Sequence, residues 1–124
     1  MTKLSVDISI IIVNHNRSNY IERCLRSCVD QVVFNKNFEI IFIDDASKDD
    51  SYEIAKKFRS SIRLFKLKKN KGISYASNYA IKKSNGKYFI RVDSDDYINK
   101  HTVDFMSEIL MKNKNIAFVY CDHY

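Results

Sequence analysis

The sequence predicts an α/β domain built on a mainly parallel sheet with helices on both faces. Two observations carry this. Short β-branched runs alternate with segments of helical periodicity along the chain, and polar residues collect just after several of the strand-like runs. Strands and helices alternating at this length form βαβ units, whose crossovers cover both faces of a sheet.

The first strand is read at Ile8-Ser9-Ile10-Ile11-Ile12-Val13, β-branched at nearly every position, as suits a central strand covered on both sides. Asn19 followed by Glu22 is an N-cap signal, and Ile21, Cys24, Leu25, Cys28 and Val29 then recur at helical spacing. Residues 38–43 repeat the strand pattern, and Ser47 with Asp50 repeats the capping signal before Ile54, Ala55 and Phe58. A third strand is expected at 62–67, a third helix at 73–83, a fourth strand at 87–92, a fourth helix at 103–111 and a fifth strand at 116–121.

Composition bounds the function. With 124 residues, 45% hydrophobic and 29% charged, the chain can bury a core and does not read as disordered. It has no proline, its two glycines are Gly72 and Gly86, and no linker or repeat interrupts it, so a single domain over 1–124 is expected. The 21 Lys and Arg against 15 Asp and Glu give a net charge of +6, which suits an anionic partner such as a phosphate ester, a nucleic acid or an acidic membrane surface. The lysines are scattered over several predicted helices without an aromatic platform, so nucleic acid is not expected. No apolar run approaches a membrane span and residues 1–4 lack the apolar segment of a signal peptide, so a soluble cytoplasmic domain is expected. Cys24 and Cys28 share a helix face, but neither His15 nor His101 is spaced to complete a zinc site with them, and they are expected to pack as small buried hydrophobes.

In open α/β sheets ligands bind outside the carboxyl ends of the strands, where the strand order reverses. Asn14-His15-Asn16 follows the first strand, Asp44-Asp45 the second and Asp93-Ser94-Asp95-Asp96 the fourth, so the three clusters are expected on one rim. Three carboxylates within four residues repel one another unless they sit in water or face a cation. Asp93 and Asp95 offer hard oxygen ligands suited to Mg²⁺ or Mn²⁺; the alternative is a solvated turn. A calcium loop is excluded, because Tyr97 and Ile98 stand where a ligand and the turn glycine would be needed. The alternative for Asp44-Asp45 is that Asp45 or Ser47 merely caps the second helix, but Ser47 is expected to supply the cap, leaving both carboxylates without a structural role. With no Gly-x-Gly-x-x-Gly after the first strand and no Gly-Lys-Ser/Thr, neither a dinucleotide site nor a P-loop is indicated.

The segments SIIIVNHNRSNYIERCLRSC, FEIIFIDDASKDDS, KNKGISYASNYAIKKSNGKYF and RVDSDDYI, in this order and spacing, resemble the nucleotide-binding half of family 2 glycosyltransferases of the Rossmann-like GT-A fold. The resemblance covers essentially the whole chain. It implies an inverting, metal-dependent transfer of a sugar from a nucleotide diphosphate donor, a UDP-sugar above all, to a glycan or lipid-linked acceptor. It implies Mn²⁺ or Mg²⁺ on Asp95 and Asp93, with Asp45 on the base edge, Asp93 also near the ribose, and His15, where the family often has Tyr, against the base. Val13, Asn16, Asp44, Asn70, Gly72, Asn78 and Ser94 complete the nucleotide-binding set it implies. Ser77 stands where Arg is usual, and the run 66–71 reads either as positive potential beside the diphosphate or as a solvated edge.

The resemblance further implies that the general base and most of the acceptor site belong to a second half beyond this chain, and it admits peripheral association with a membrane face. Asp96 and Asp122 are the carboxylates left as bases within the chain. The alternative reading is a nucleotide-sugar-binding module without chemistry of its own. A phosphoacceptor receiver domain fits poorly, since its acidic pair follows the first strand, and so does a dehalogenase-type phosphatase, whose Asp-x-Asp lies on that strand.

Overall fold

The computed structural model describes residues 5–121. The elements run β1 (Ile8–Asn14), α1 (Ile21–Val29), β2 (Phe38–Asp44), α2 (Ser51–Lys56), β3 (Arg63–Lys66), α3 (Ile73–Lys83), β4 (Tyr88–Asp93) and α4 (Thr102–Lys112). The strands form a four-stranded parallel sheet in the order β3-β2-β1-β4. The chain builds outward from β1 through β2 to β3 and then returns to the other side of β1, so the strand order reverses between β1 and β4.

Side chains of a strand alternate between faces, and here each face has its own cover. Ile8, Ile10 and Ile12 of β1, with Ile40 and Phe42 of β2 and Val92 of β4, pack against Ile21, Cys24, Leu25 and Cys28 of α1, Ala55 of α2 and Val103 of α4. Ile11, Ile41 and Ile43 face the other way, onto Ala76 and Ala80 of α3. The two alanines place small side chains where the helix meets the sheet. Ile10 and Ile12 are 0% exposed and Ile11 1% exposed, which is why β1 is apolar on both of its faces.

The fifth strand expected at 116–121 is not formed: four strands make up the sheet among the described residues. Ile116, Phe118 and Tyr120 are exposed, and the Phe118 and Tyr120 rings stack on each other at 6.1 Å. An extended segment becomes a strand only when its backbone groups find a partner edge, and among the described residues, residues 116–121 pair with no strand, the open edge of β4 included. Asp122 lies outside the described residues. The expected caps also differ, because α1 begins after Tyr20 and α2 after Asp50, each without a side-chain cap. Cys24 and Cys28 pack in the core as expected. Among the described residues no helix is long and apolar enough to cross a membrane.

Gly86 precedes β4 where the backbone passes against β1. A Cβ there would lie 2.6 Å from the Ser9 amide nitrogen and 2.8 Å from the Ile8 carbonyl carbon. Both neighbours are backbone in the central strand and have nowhere to move. Gly86→Ala is therefore expected to lower unfolding free energy by about 1–3 kcal/mol, as overpacking does, measured by urea denaturation; an unchanged midpoint would show that the crossing relaxes.

Candidate functional site

The parallel register sets Asn14 beside Asp44 and Val13 beside Asp93, so the carboxyl ends of β1, β2 and β4 finish together. The loops that leave them, with the approach to α3, enclose two adjoining cavities that share His15. The smaller, about 270 Å³, lies at the strand-order reversal and is lined by Val13, His15, Arg17, Asp45, Ile73, Asp93, Ser94 and Asp95. The larger, about 770 Å³, is bounded by residues 15–16, 46–48 and 66–70.

Asp44 and Asp45 have structural tasks, against expectation. Asp44, fully buried, accepts hydrogen bonds from Asn14 Nδ2 (3.1 Å) and the Ser47 amide (2.9 Å). Asp45, 2% exposed, accepts from the Lys71 amide (2.7 Å) with one oxygen and from the Gly72 amide (2.9 Å) with the other. A buried carboxylate needs such donors, because desolvation otherwise penalises its charge. Gly72, at φ +88°, allows the chain to turn into α3 with both amides aimed at Asp45. Ser47, expected as a cap, instead accepts from Asn14 Nδ2 (3.1 Å) and the Asn16 amide (2.9 Å). Asp49 ties α2 to the loop after β1: burial opposes its charge, but the Ser51 hydroxyl, the Ser51 amide and the Ser18 amide outweigh that and hold its carboxyl down to about 2.

His15 joins three loops. Its Nδ1 lies 2.8 Å from the Asp45 carbonyl, which can only accept, so Nδ1 carries the proton. The Nε2 then accepts from the side-chain amides of Asn16 and Asn70, each at 3.1 Å. Those amides are oriented in turn, since Asn16 Oδ1 accepts from the Lys48 amide (2.8 Å) and Asn70 Oδ1 from the Gly72 amide (3.1 Å). The ring is thus held as a plate between the two cavities.

Asp93 and Asp95 are a different kind of carboxylate. Each side chain is 48% exposed, and each has a guanidinium nearby, Arg91 at 3.5 Å from Asp93 and Arg17 at 3.6 Å from Asp95. At such separations in water these pairs bind weakly, which leaves the oxygens accessible to a hard divalent ion. Among the described residues no third His, Cys, Asp or Glu joins them in a metal-holding group, so an ion here would complete its shell from waters and a phosphate-bearing ligand.

Of the residues singled out in the sequence, Val13, His15, Asn16, Asp45, Asn70, Asp93, Ser94 and Asp95 line the two cavities. Asp44 lies beneath them, Gly72 is bonded to Asp45, and Asn78 is exposed on α3 and lines neither. The Ser77 hydroxyl is buried without a hydrogen-bond partner. Arg17 and Ile73 line the smaller cavity without having been singled out. The position of Arg17 just after the first strand was the available signal, whereas its proximity to Asp95 depends on pairing across the sheet.

The sequence matches the model of the glycosyl transferase family 2 over residues 9–123. The chain belongs to this family. It is 34% identical over 116 residues to the chondroitin synthase of Pasteurella multocida, covering 91% of this chain and 12% of that protein. It is 36% identical over 98 residues to the poly(ribitol-phosphate) beta-N-acetylglucosaminyltransferase TarS of Staphylococcus aureus, covering 77% of this chain and 17% of that one. The chain therefore spans under a fifth of the length of these two relatives. The crystal structure of S. aureus TarS 1–349 in complex with UDP-GlcNAc superposes with a TM-score of 0.79 at 31% identity, over 86% of this chain and 32% of that one. The fold is the GT-A fold of these glycosyltransferases.

Asp45→Asn leaves one backbone amide of the Lys71–Gly72 pair facing a donor instead of an acceptor. A lost buried hydrogen bond of this kind is expected to cost about 1–3 kcal/mol, with faster hydrogen exchange at Lys71 and Gly72 than elsewhere in the sheet. Unchanged exchange at both amides would show that another group holds this loop.

Proposed function

We propose that the chain is the donor-binding part of an inverting glycosyltransferase that transfers a sugar from a nucleoside diphosphate, UDP above all, to a glycan or lipid-linked acceptor. The observation that carries this reading is the register of β1 with β4, which puts the open carboxylates of Asp93 and Asp95 beside the His15 and Asp45 loops at the strand-order reversal. That is where α/β sheets bind nucleotides. A related protein, S. aureus TarS, has been crystallised with UDP and with UDP-GlcNAc, which supports a UDP-sugar here.

On this reading each loop has a separate task. His15, fixed by three hydrogen bonds, offers a flat face to the base, and Asn16 and Asn70 hold it there. Val13, Asp45 and Ile73 form the floor and wall beside the base, with Asp44 and Asn14 bracing the floor from below. Asp93 and Ser94 lie towards the ribose. Asp93 and Asp95 would hold a Mn²⁺ or Mg²⁺ ion, which when bound neutralises charge developing on the diphosphate leaving group. Arg17 lies close enough to Asp95 to turn to the diphosphate when the carboxylate binds an ion. A mannosyltransferase of Pyrobaculum calidifontis in complex with GDP-Man and Mn²⁺ shares the fold, with a TM-score of 0.76 at 18% identity.

The base that takes the acceptor proton is assigned to protein beyond the residues of this chain. Among the described residues, the carboxylates lining the smaller cavity are Asp45, Asp93 and Asp95, and Asp45 is already committed to the loop before α3. A base must reach the acceptor hydroxyl.

The test is calorimetric titration of UDP into the chain with Mn²⁺ and in excess EDTA. Binding in Mn²⁺ is expected to exceed that in EDTA by at least about tenfold, and Asp95→Asn to remove most of the difference, as loss of a metal-ligating group does. Equal affinity in both buffers would remove the metal role from Asp93 and Asp95, and absence of UDP binding in either would sink the donor-site reading.

A further inference from the structure

We infer that Gln31, which touches neither cavity, is a positioning residue that fixes the Asp93–Asp96 turn from behind and thereby sets the affinity of the crevice for a metal-bound diphosphate; the inference rests on the donor-site reading above. The segment that leaves β4, residues 94–101, contains no helix or strand. Its local hydrogen bonds are few: the Asp96 amide to the Asp93 carbonyl (2.9 Å), the His101 amide to Asn99 Oδ1 (3.0 Å) and the Thr102 amide to the Asn99 carbonyl (3.0 Å). The ion pairs of Asp93 and Asp95 are half-exposed and long, too weak to fix where the two carboxylates point. Something else must hold the segment.

That support comes from α1 and the residues just after it. Cys24 Sγ lies 3.5 Å from the Asp93 carbonyl and donates to it. Ser27 Oγ accepts from the Ile98 amide (3.2 Å), and the Val32 amide donates to the Lys100 carbonyl (2.8 Å). Gln31 stands at the centre of this strip, 7% exposed. Its Nε2 donates to the Ser27 carbonyl (2.9 Å) and the Asn99 carbonyl (2.7 Å), and its Oε1 accepts from the Val103 amide (3.0 Å).

Each of these bonds has a consequence. The first amides of a helix lack intrahelical partners, and the N-cap residue of α4, His101, makes no side-chain cap. Gln31 supplies the missing acceptor from another element, which fixes where α4 begins and so where the segment ends. The bond to Asn99 holds the middle of the same segment, and the bond to Ser27 locks the glutamine amide itself onto α1. Both amide protons and the carbonyl are used, so no rotation of the amide preserves the set. The turn bearing Asp95 is strung between β4 and this clamp, and residues that orient metal ligands typically change metal affinity about 10–100-fold when lost.

The experiment uses the full chain with Gln31→Met, of similar volume and without hydrogen bonds, and Gln31→Glu, which keeps the acceptor for Val103 and so the start of α4. Amide hydrogen exchange is read at residues 96–99 against Lys71 and Gly72, and UDP affinity is read in Mn²⁺ and in EDTA. In Gln31→Met, exchange at 96–99 is expected to accelerate at least about tenfold with Lys71 and Gly72 unchanged, and UDP affinity in Mn²⁺ to fall about tenfold with affinity in EDTA unchanged. Gln31→Glu is expected to show the same pattern to a smaller extent, and it decides the matter if Gln31→Met does not fold. Unchanged exchange at 96–99, or acceleration spread evenly over the chain, overturns the clamp. Accelerated exchange with unchanged affinity in Mn²⁺ reduces Gln31 to a structural residue. A wild-type chain that binds no UDP would instead sink the donor-site reading and the functional claim for Gln31 with it, while exchange still decides the clamp.

Discussion

The parallel pairing of β1 with a neighbour on each side is the constraint on which the rest of this structure depends. Parallel neighbours must be reached by crossovers, and crossovers place helices on the sheet faces. The same pairing gives all strands one direction, so the loops after β1, β2 and β4 emerge at one rim. A strand with partners on both edges and helices on both faces has no solvent to satisfy polar side chains. The polar residues at its end, Asn14 beside Asp44, are consequently bonded to each other and to the Ser47 loop. Among the described residues the Asn14 side-chain oxygen, Oδ1, is the one member of that group left without a hydrogen-bond partner.

The rim divides its carboxylates into two classes by burial. Asp44, Asp45 and Asp49 accept backbone amides and stabilise loops. Among the described residues no backbone amide bonds the carboxylates of Asp93 and Asp95, which remain open to water, near arginines too distant to hydrogen-bond well. Charge that is already satisfied cannot serve a ligand without unmaking the loop it holds, and charge left open can. On the proposed reading the chemistry of the crevice belongs to the β4 end, and its shape to the β1 and β2 ends.

Shape and chemistry are supported by separate parts of the chain. The approach to α3, through Asn70, Lys71 and Gly72, is pinned to His15 and Asp45 and closes one side. The C-terminal part of α1 and Gln31 support the other. Family membership places this arrangement among proteins several times longer, of which the chain matches 12% to 17% in the two relatives compared. The region shared across those lengths is the one that builds the crevice.

By itself the sequence determined the alternation of strands and helices, the central place of β1 and the gathering of three polar clusters on one rim. Those features are local: a β-branched run of six residues buried on both faces is legible from its composition, and strand direction follows from the crossovers. The family motifs added the residues proposed to bind the donor, of which most line the two cavities. Tertiary structure decided what each polar side chain bonds to. Ser47 and Asn19 carried capping signals, but neither caps its helix; Ser47 faces the end of β1, where Asn14 and the Asn16 amide supply stronger demands. Residues 116–121 had a strand pattern, but a strand also requires a partner edge, and that is a property of other segments. Gln31 carried no signal at all, because its three partners lie four residues back along the chain and on segments 68 and 72 residues ahead. A buried amide declares its role only when the fold has brought its donors and acceptors together.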